Sequence, residues 1–111
     1  IMKVSDIVSQ LGLEVCSGAE GLNRPVEGGY TSDLLSDVMG NAEVGMVWIT
    51  LQTHKNVMAI ASLKELAAII LVNGQQPEQD TAEQSNLEGI PVLSTSMPTF
   101  EVSGKLFNLL K

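Results

Sequence analysis

Residues 67–72 read AAIILV, six apolar residues in succession with no polar alternation. A strand with one face in water alternates, whereas a strand covered on both faces does not, and that double cover is typical of parallel strands flanked by helices. The stretch therefore reads as a buried parallel strand, and its neighbours repeat the rhythm. Before it, MVWITL (46–51) is a buried strand leading through QTHKN (52–56) into a helix, VMAIASLKEL (57–66). After it, NGQQPEQD leads to a polar helix ending near Leu87 to Gly89; IPVLST (90–95) is a third strand, and SMP precedes a terminal helix from about Thr99 to Leu110. Strand alternating with helix is the pattern of a right-handed α/β wind.

Further upstream, Leu34, Leu35, Val38 and Met39 share one helical face, with Ser32 or Asp33 to cap and Gly40–Asn41 to end it. Leu13–Ser17 alternates like a half-buried strand, SGAEGLNR is loop chemistry, and PVEGGYTS is extended, so a hairpin-like pair is expected here. Val4, Ile7, Val8 and Leu11 make a short amphipathic helix, capped by Ser5 and ended by Gly12. The expectation is a three-layer α/β/α domain over residues 1–111, with a mixed, mostly parallel sheet of about five strands. Met2 reads as the natural start.

Composition narrows the function. Thirteen acidic residues against six basic ones give a net charge of -7, and the cations are scattered, so no basic stripe exists to displace counterions from nucleic acid. Cys16 is the sole cysteine, which excludes an intrachain disulfide and a cysteine zinc cage and suits a reducing cytoplasm. The longest apolar runs are too short to span a bilayer. Neither GxxxxGK[ST] nor GxGxxG occurs, which excludes a P-loop. No cofactor is expected.

Parallel winding gathers the strand carboxyl ends on one edge, where α/β sheets bind ligands and helix N-termini face anions. The residues expected there are Gly28, Gly29, Thr31, Ser32 and Asp33; Gln52, Thr53, His54, Lys55 and Asn56; Asn73 and Gly74; and Thr95. Gly28 and Gly29 would let the backbone adopt positive φ before a capped helix, or else would make a bulge or let a helix pack closely on a strand. His54, the only histidine, has Lys55 beside it and a helix capped by Thr53 or Asn56 after it; it is read as an anion contact rather than an acid–base catalyst, for want of a positioned nucleophile. Asp33 and Asp37 are four apart and face one side of a helix, yet two carboxylates fit capping and solvation better than a metal. Trp48 and the five methionines are core or interface material.

The helices NVMAIASL and FEVSGKLFNLL are apolar on more than one face, which calls for a second protein surface and predicts a two-fold homodimer.

The string EGLNRPVEGGYTSDLLSDVMGNAEVGMVWITLQTHKNVMAIASLKELAAIILVNGQQP, with KVSDIVSQLGLEV before it and GIPVLST and TFEVSGKLFNLL after it, resembles the DRTGG domain family along essentially the whole chain. Its likeness is to small free-standing members; similar domains occur inside CBS-domain pyrophosphatases and some phosphotransacetylases, and the fold is similar to the N-terminal domain of HPr kinase/phosphorylase. The naming motif is altered. His54 and Lys55 stand where the family's Asp-Arg pair falls, and Val72, Asn73 and Gly74 where its Thr-Gly-Gly falls, with Pro77 kept. The resemblance implies a module that pairs with itself and serves regulation or assembly.

Two functions are carried forward. The preferred one is a non-catalytic regulatory or assembly module that homodimerises, binds a small anion or adenine nucleotide at the strand-end loops, and engages a partner enzyme. The alternative is a small phosphotransfer or hydrolytic enzyme using His54 with Ser32 or Asp33.

Overall fold

In the computed structural model, which describes residues 1–111, the elements in order are α1 (Val4–Leu11), β1 (Glu14–Ser17), a 3₁₀ turn (Ala19–Gly21), β2 (Gly28–Thr31), α2 (Leu35–Asn41), β3 (Met46–Thr50), α3 (Asn56–Leu63), β4 (Ala68–Leu71), α4 (Gln79–Glu88), β5 (Val92–Ser94) and α5 (Thr99–Leu110). The five strands form one sheet in the order β1-β5-β4-β3-β2. Pairings β2–β3, β3–β4 and β4–β5 are parallel, and only β1 lies antiparallel, against β5.

The unbroken apolar runs are explained by cover on both sides. Along β3 and β4, Val47, Ile49 and Ile70 join a core with Val4, Ile7, Leu93, Val102 and Leu106 under α1 and α5. Their alternating neighbours Trp48, Ile69 and Leu71 join a second core with Val38, Val57, Met58 and Ile60 under α2 and α3. The polar helix α4 completes that layer through its small buried residues Thr81 and Ser85.

The expected hairpin does not form. Leu13–Ser17 and PVEGGYTS lie at opposite edges of the sheet, β1 on β5 and β2 on β3. The departure begins at Gly18, whose φ of 71° and N–H bond to Asn86 Oδ1 (2.8 Å) turn the chain beneath α4; a β-carbon there would collide with the Ile90 carbonyl. The following segment then bridges Pro25 to Lys3, at the start of α1.

Two helix starts also differ. At α1 the Lys3 N–H donates to Asp6 Oδ2 (2.9 Å), so Asp6 and not Ser5 satisfies the first turn, while Gly12 ends the helix at φ 65° as expected. Helix α2 begins at Leu35, and of its apolar residues only Val38 and Ala42 just beyond it are fully buried.

Helix α3 finds its cover inside the chain. Val57, Met58, Ile60 and Ala61 are buried, and of its large apolar residues only Leu63 is exposed, so the apolar girdle of α3 is covered without a second subunit. Helix α5 differs: Val102 and Leu106 are buried, but Phe100 and Phe107 are 93% and 68% exposed. No helix is long and apolar enough to cross a membrane.

Candidate functional site

Because β2 to β5 run parallel, the loops after them share one edge, and hydrogen bonds join these loops. Asp33, after β2, accepts at Oδ1 from Thr50 Oγ1 and from the Leu51 N–H, both at 2.8 Å, and its carbonyl accepts from Gln52 Nε2 at 3.0 Å. The Thr53 carbonyl, after β3, accepts from Thr81 Oγ1 (2.9 Å) and the Glu78 N–H (3.3 Å) at the start of α4. After β4, the Asn73 N–H donates to the Met97 carbonyl (3.0 Å) and the Gly74 N–H to the Thr95 carbonyl (2.8 Å). Asn73 and Gly74 both take positive φ, 56° and 73°, which suits the short polar and the missing side chain.

The rim thus brings together Ser32, Asp33, Gln52, Thr53, Asn73, Gly74 and Thr95. Thr95 is buried and its Oγ1 accepts from the Met97 N–H at 3.1 Å, so it builds the turn. His54, Lys55 and Asn56 are exposed at the start of α3. The cap there is neither Thr53 nor a side chain of Asn56: His54 Nδ1 accepts from the Asn56 N–H at 3.1 Å. That leaves the opposite ring nitrogen and the Lys55 ammonium directed to no partner in the protein.

Gly28 and Gly29 are not at this edge. They form the amino-terminal half of β2, in register with Met46 and Val47, and neither has positive φ. Gly29 serves close packing instead: a β-carbon there would lie 3.1 Å from Leu106 Cδ2 of α5. Thr31 also leaves the rim, its hydroxyl 2.9 Å from that of Ser103 on α5.

Sequence reasoning missed Gln76. It donates from Nε2 to Glu14 Oε1 (3.1 Å) and Ser94 Oγ (3.2 Å) and accepts at Oε1 from Cys16 Sγ (3.5 Å), tying the loop after β4 to β1. Its only sequence signal was its place in the NGQQP loop, because the antiparallel seat of β1 beside β5 is a tertiary fact. Burial, reinforced by the Glu14 carboxylate, pushes the Cys16 thiol up to about 11.

The two aspartates have separate tasks. Asp33 holds the Thr50 turn, while Asp37 accepts from Tyr30 Oη at 2.9 Å and from Asn41 Nδ2 at 2.9 Å. Hydrogen bonds from the Ser32 and Tyr30 hydroxyls hold the Asp37 carboxyl below the usual carboxylate range, and the bond to Asp37 raises the Tyr30 phenol. No group of three or more His, Cys, Asp or Glu side chains is arranged to hold a metal ion. No hydrogen bond joins His54 to Ser32 or Asp33; Ser32 Oγ accepts from the Leu34 N–H at 3.2 Å.

Comparison with known proteins agrees with this architecture. Residues 6–109 match the DRTGG domain family. The HPr kinase/phosphorylase of Bacillus pumilus (strain SAFR-032) is 26% identical over 125 residues, and that of Bacillus cereus (strain G9842) 25% over 128, in each case across 99% of this chain and 40% of the relative. The chain therefore spans about two-fifths of the length of these relatives. A solved structure of the CBS and DRTGG domains of the regulatory region of Clostridium perfringens pyrophosphatase, complexed with its activator diadenosine tetraphosphate, superposes with a TM-score of 0.73 at 16% identity, over 95% of this chain and 45% of that one. With the match running over residues 6–109 of its 111, this chain belongs to the DRTGG domain family.

Proposed function

We propose that this chain is a non-catalytic regulatory or assembly module, which pairs with itself and receives a small anion or adenine nucleotide at the strand-end rim, beside His54, Lys55 and Asn73. The observation that carries the reading is how the rim spends its polar groups. Asp33, Thr53, Gly74 and Thr95 are committed to holding the four loops together, and His54 Nδ1 and Ser32 Oγ each accept a backbone N–H. Such an edge is a rigid platform rather than an acid–base pair with a nucleophile in reach. Its unspent groups are the outer nitrogen of His54, the Lys55 ammonium and the Asn73 amide, which can contact phosphate oxygens or a base edge. The fold it shares with a pyrophosphatase regulatory region that binds a dinucleotide activator supports the adenine nucleotide as the ligand class, and a partner enzyme as the recipient of the signal. An enzymatic use of His54 with Ser32 or Asp33 draws no support from this geometry.

The test is a thermal-shift titration with AMP, ATP, diadenosine tetraphosphate and inorganic phosphate. Ligand at a hundred times Kd stabilises by about 2.7 kcal/mol, which raises Tm by roughly 10 °C or more in a domain of this size. The expected result is such a rise for at least one nucleotide, lost in Lys55→Ala, with no turnover of the ligand. No shift from any of the four at millimolar concentration would remove the ligand from the proposal; turnover abolished by His54→Ala would replace the module with an enzyme.

A further inference from the structure

We infer that the outer edge of β2 and the outward side of α5 form the surface on which a second copy of this chain docks about a two-fold axis. This rests on the self-pairing proposed above and assigns it a place.

The two ends of the sheet are not alike. At the β1 end the register shifts between Val15 and Ser17, the kind of irregularity that spoils an edge for strand addition. At the β2 end the four residues pair with β3 without interruption, and nothing pairs with the other side. Ser32 donates its N–H inward to the Ile49 carbonyl, so the alternation of the strand turns the N–H and C=O of Gly29 and Thr31 outward. No lysine, proline or bulge guards this edge.

Beside it, a cleft of ≈ 640 Å³ runs between β2 and α5. Phe100 and Phe107 stand on its rim, seven residues apart and so on one side of the helix, 93% and 68% exposed. Between them Gly104 is a notch, with nothing within 4 Å of where its β-carbon would be. One face thus carries both projections and a recess, as an isologous contact requires, since each copy must offer what the other fills.

Charge makes this the face on which a second copy can meet the first. The chain carries -7, so two copies repel across most of their surfaces. The cleft lining holds one acid, Glu27, and one base, Lys111, for a formal charge of zero, and the nearest charged pair on α5, Lys105 and Glu101, is a neutral ion pair at 3.3 Å. Area agrees as well: a stable contact takes about 800 Å² per copy, and two phenylalanines at roughly 150 Å² or more each supply over a third of it.

The experiment is sedimentation equilibrium of the chain, of Phe107→Glu, of Phe100→Glu, and of Leu63→Glu on the exposed side of α3, each checked by circular dichroism and Tm. The expected result is a wild-type mass twice 11.8 kDa, association weakened about a hundredfold or more by either phenylalanine change, and no effect of Leu63→Glu. A wild-type dimer untouched by both phenylalanine changes would leave self-pairing standing and overturn this surface. A wild-type monomer at tens of micromolar would overturn both. Hydrogen exchange adds a readout independent of any variant: the Gly29 and Thr31 amides should slow with protein concentration, and exchange independent of concentration would exclude the strand edge.

Discussion

Leu106 of α5 rests over Gly29 of β2 so closely that a β-carbon on the glycine would be 3.1 Å from Cδ2 of the leucine. Leu106 is only 2% exposed, so a β-carbon there would press on a packed side chain. An edge-strand position judged by propensity alone would gain from a β-branched residue. Packing reverses the sign: Gly29→Val should destabilise by about 1–3 kcal/mol, seen as a lower denaturant midpoint with an unchanged m-value. A stabilised variant would mean that α5 yields here.

Asp33 should behave as a structural residue. Its Oδ1 satisfies the buried Thr50 hydroxyl and the Leu51 N–H. Asp33→Ala should cost about 1–3 kcal/mol in chemical denaturation, and Asp33→Asn, which retains an acceptor oxygen, less. Equal stability of Asp33→Ala and the wild type would free this carboxylate for ligand binding.

The Tyr30–Asp37 pair should make stability depend on pH at both extremes. The Asp37 carboxyl is depressed in the folded state, so its contribution is complete above the unfolded value of about 4 and is lost as pH falls through the lower folded value. The Tyr30 phenol is raised, so its contribution is present below the unfolded value of about 10 and is lost as pH climbs through the higher folded one. Tyr30 is the only tyrosine, so absorbance of tyrosinate reads it directly. Its midpoint should lie above that of a free tyrosine and move down in Asp37→Asn.

Cys16 should resist thiol reagents. With its pKa pushed up to about 11, chiefly by burial and then by Glu14, about one thiol in a thousand is ionised at pH 8. Labelling with a disulfide reagent should run at least about tenfold slower than for free cysteine. Glu14→Gln should recover a minor part of the rate, and a fast-reacting native protein would contradict the burial.

What the chain dictates locally was readable residue by residue. AAIILV, MVWITL and IPVLST could satisfy their backbones and bury both faces only as interior parallel strands, and the helical spacing of Val4, Ile7, Val8 and Leu11 admitted one short helix. Loops after parallel strands must meet at one edge, and that brings Asp33, Gln52, Thr53, Asn73, Gly74 and Thr95 to a common rim.

Long-range partnership was not readable, because hydrophobic period says which face of an element is covered and not by what. Only the assembled sheet seated β1 beside β5, brought Gln76 to Glu14, and set Gly28 and Gly29 beside α5 instead of at the strand-end rim. The same packing exhausted the apolar girdle of α3 within the chain while leaving Phe100 and Phe107 uncovered. Composition and periodicity are properties of neighbours along the chain and determine the elements; which surface is left over depends on the sum of all contacts, and that is settled only when the layers close.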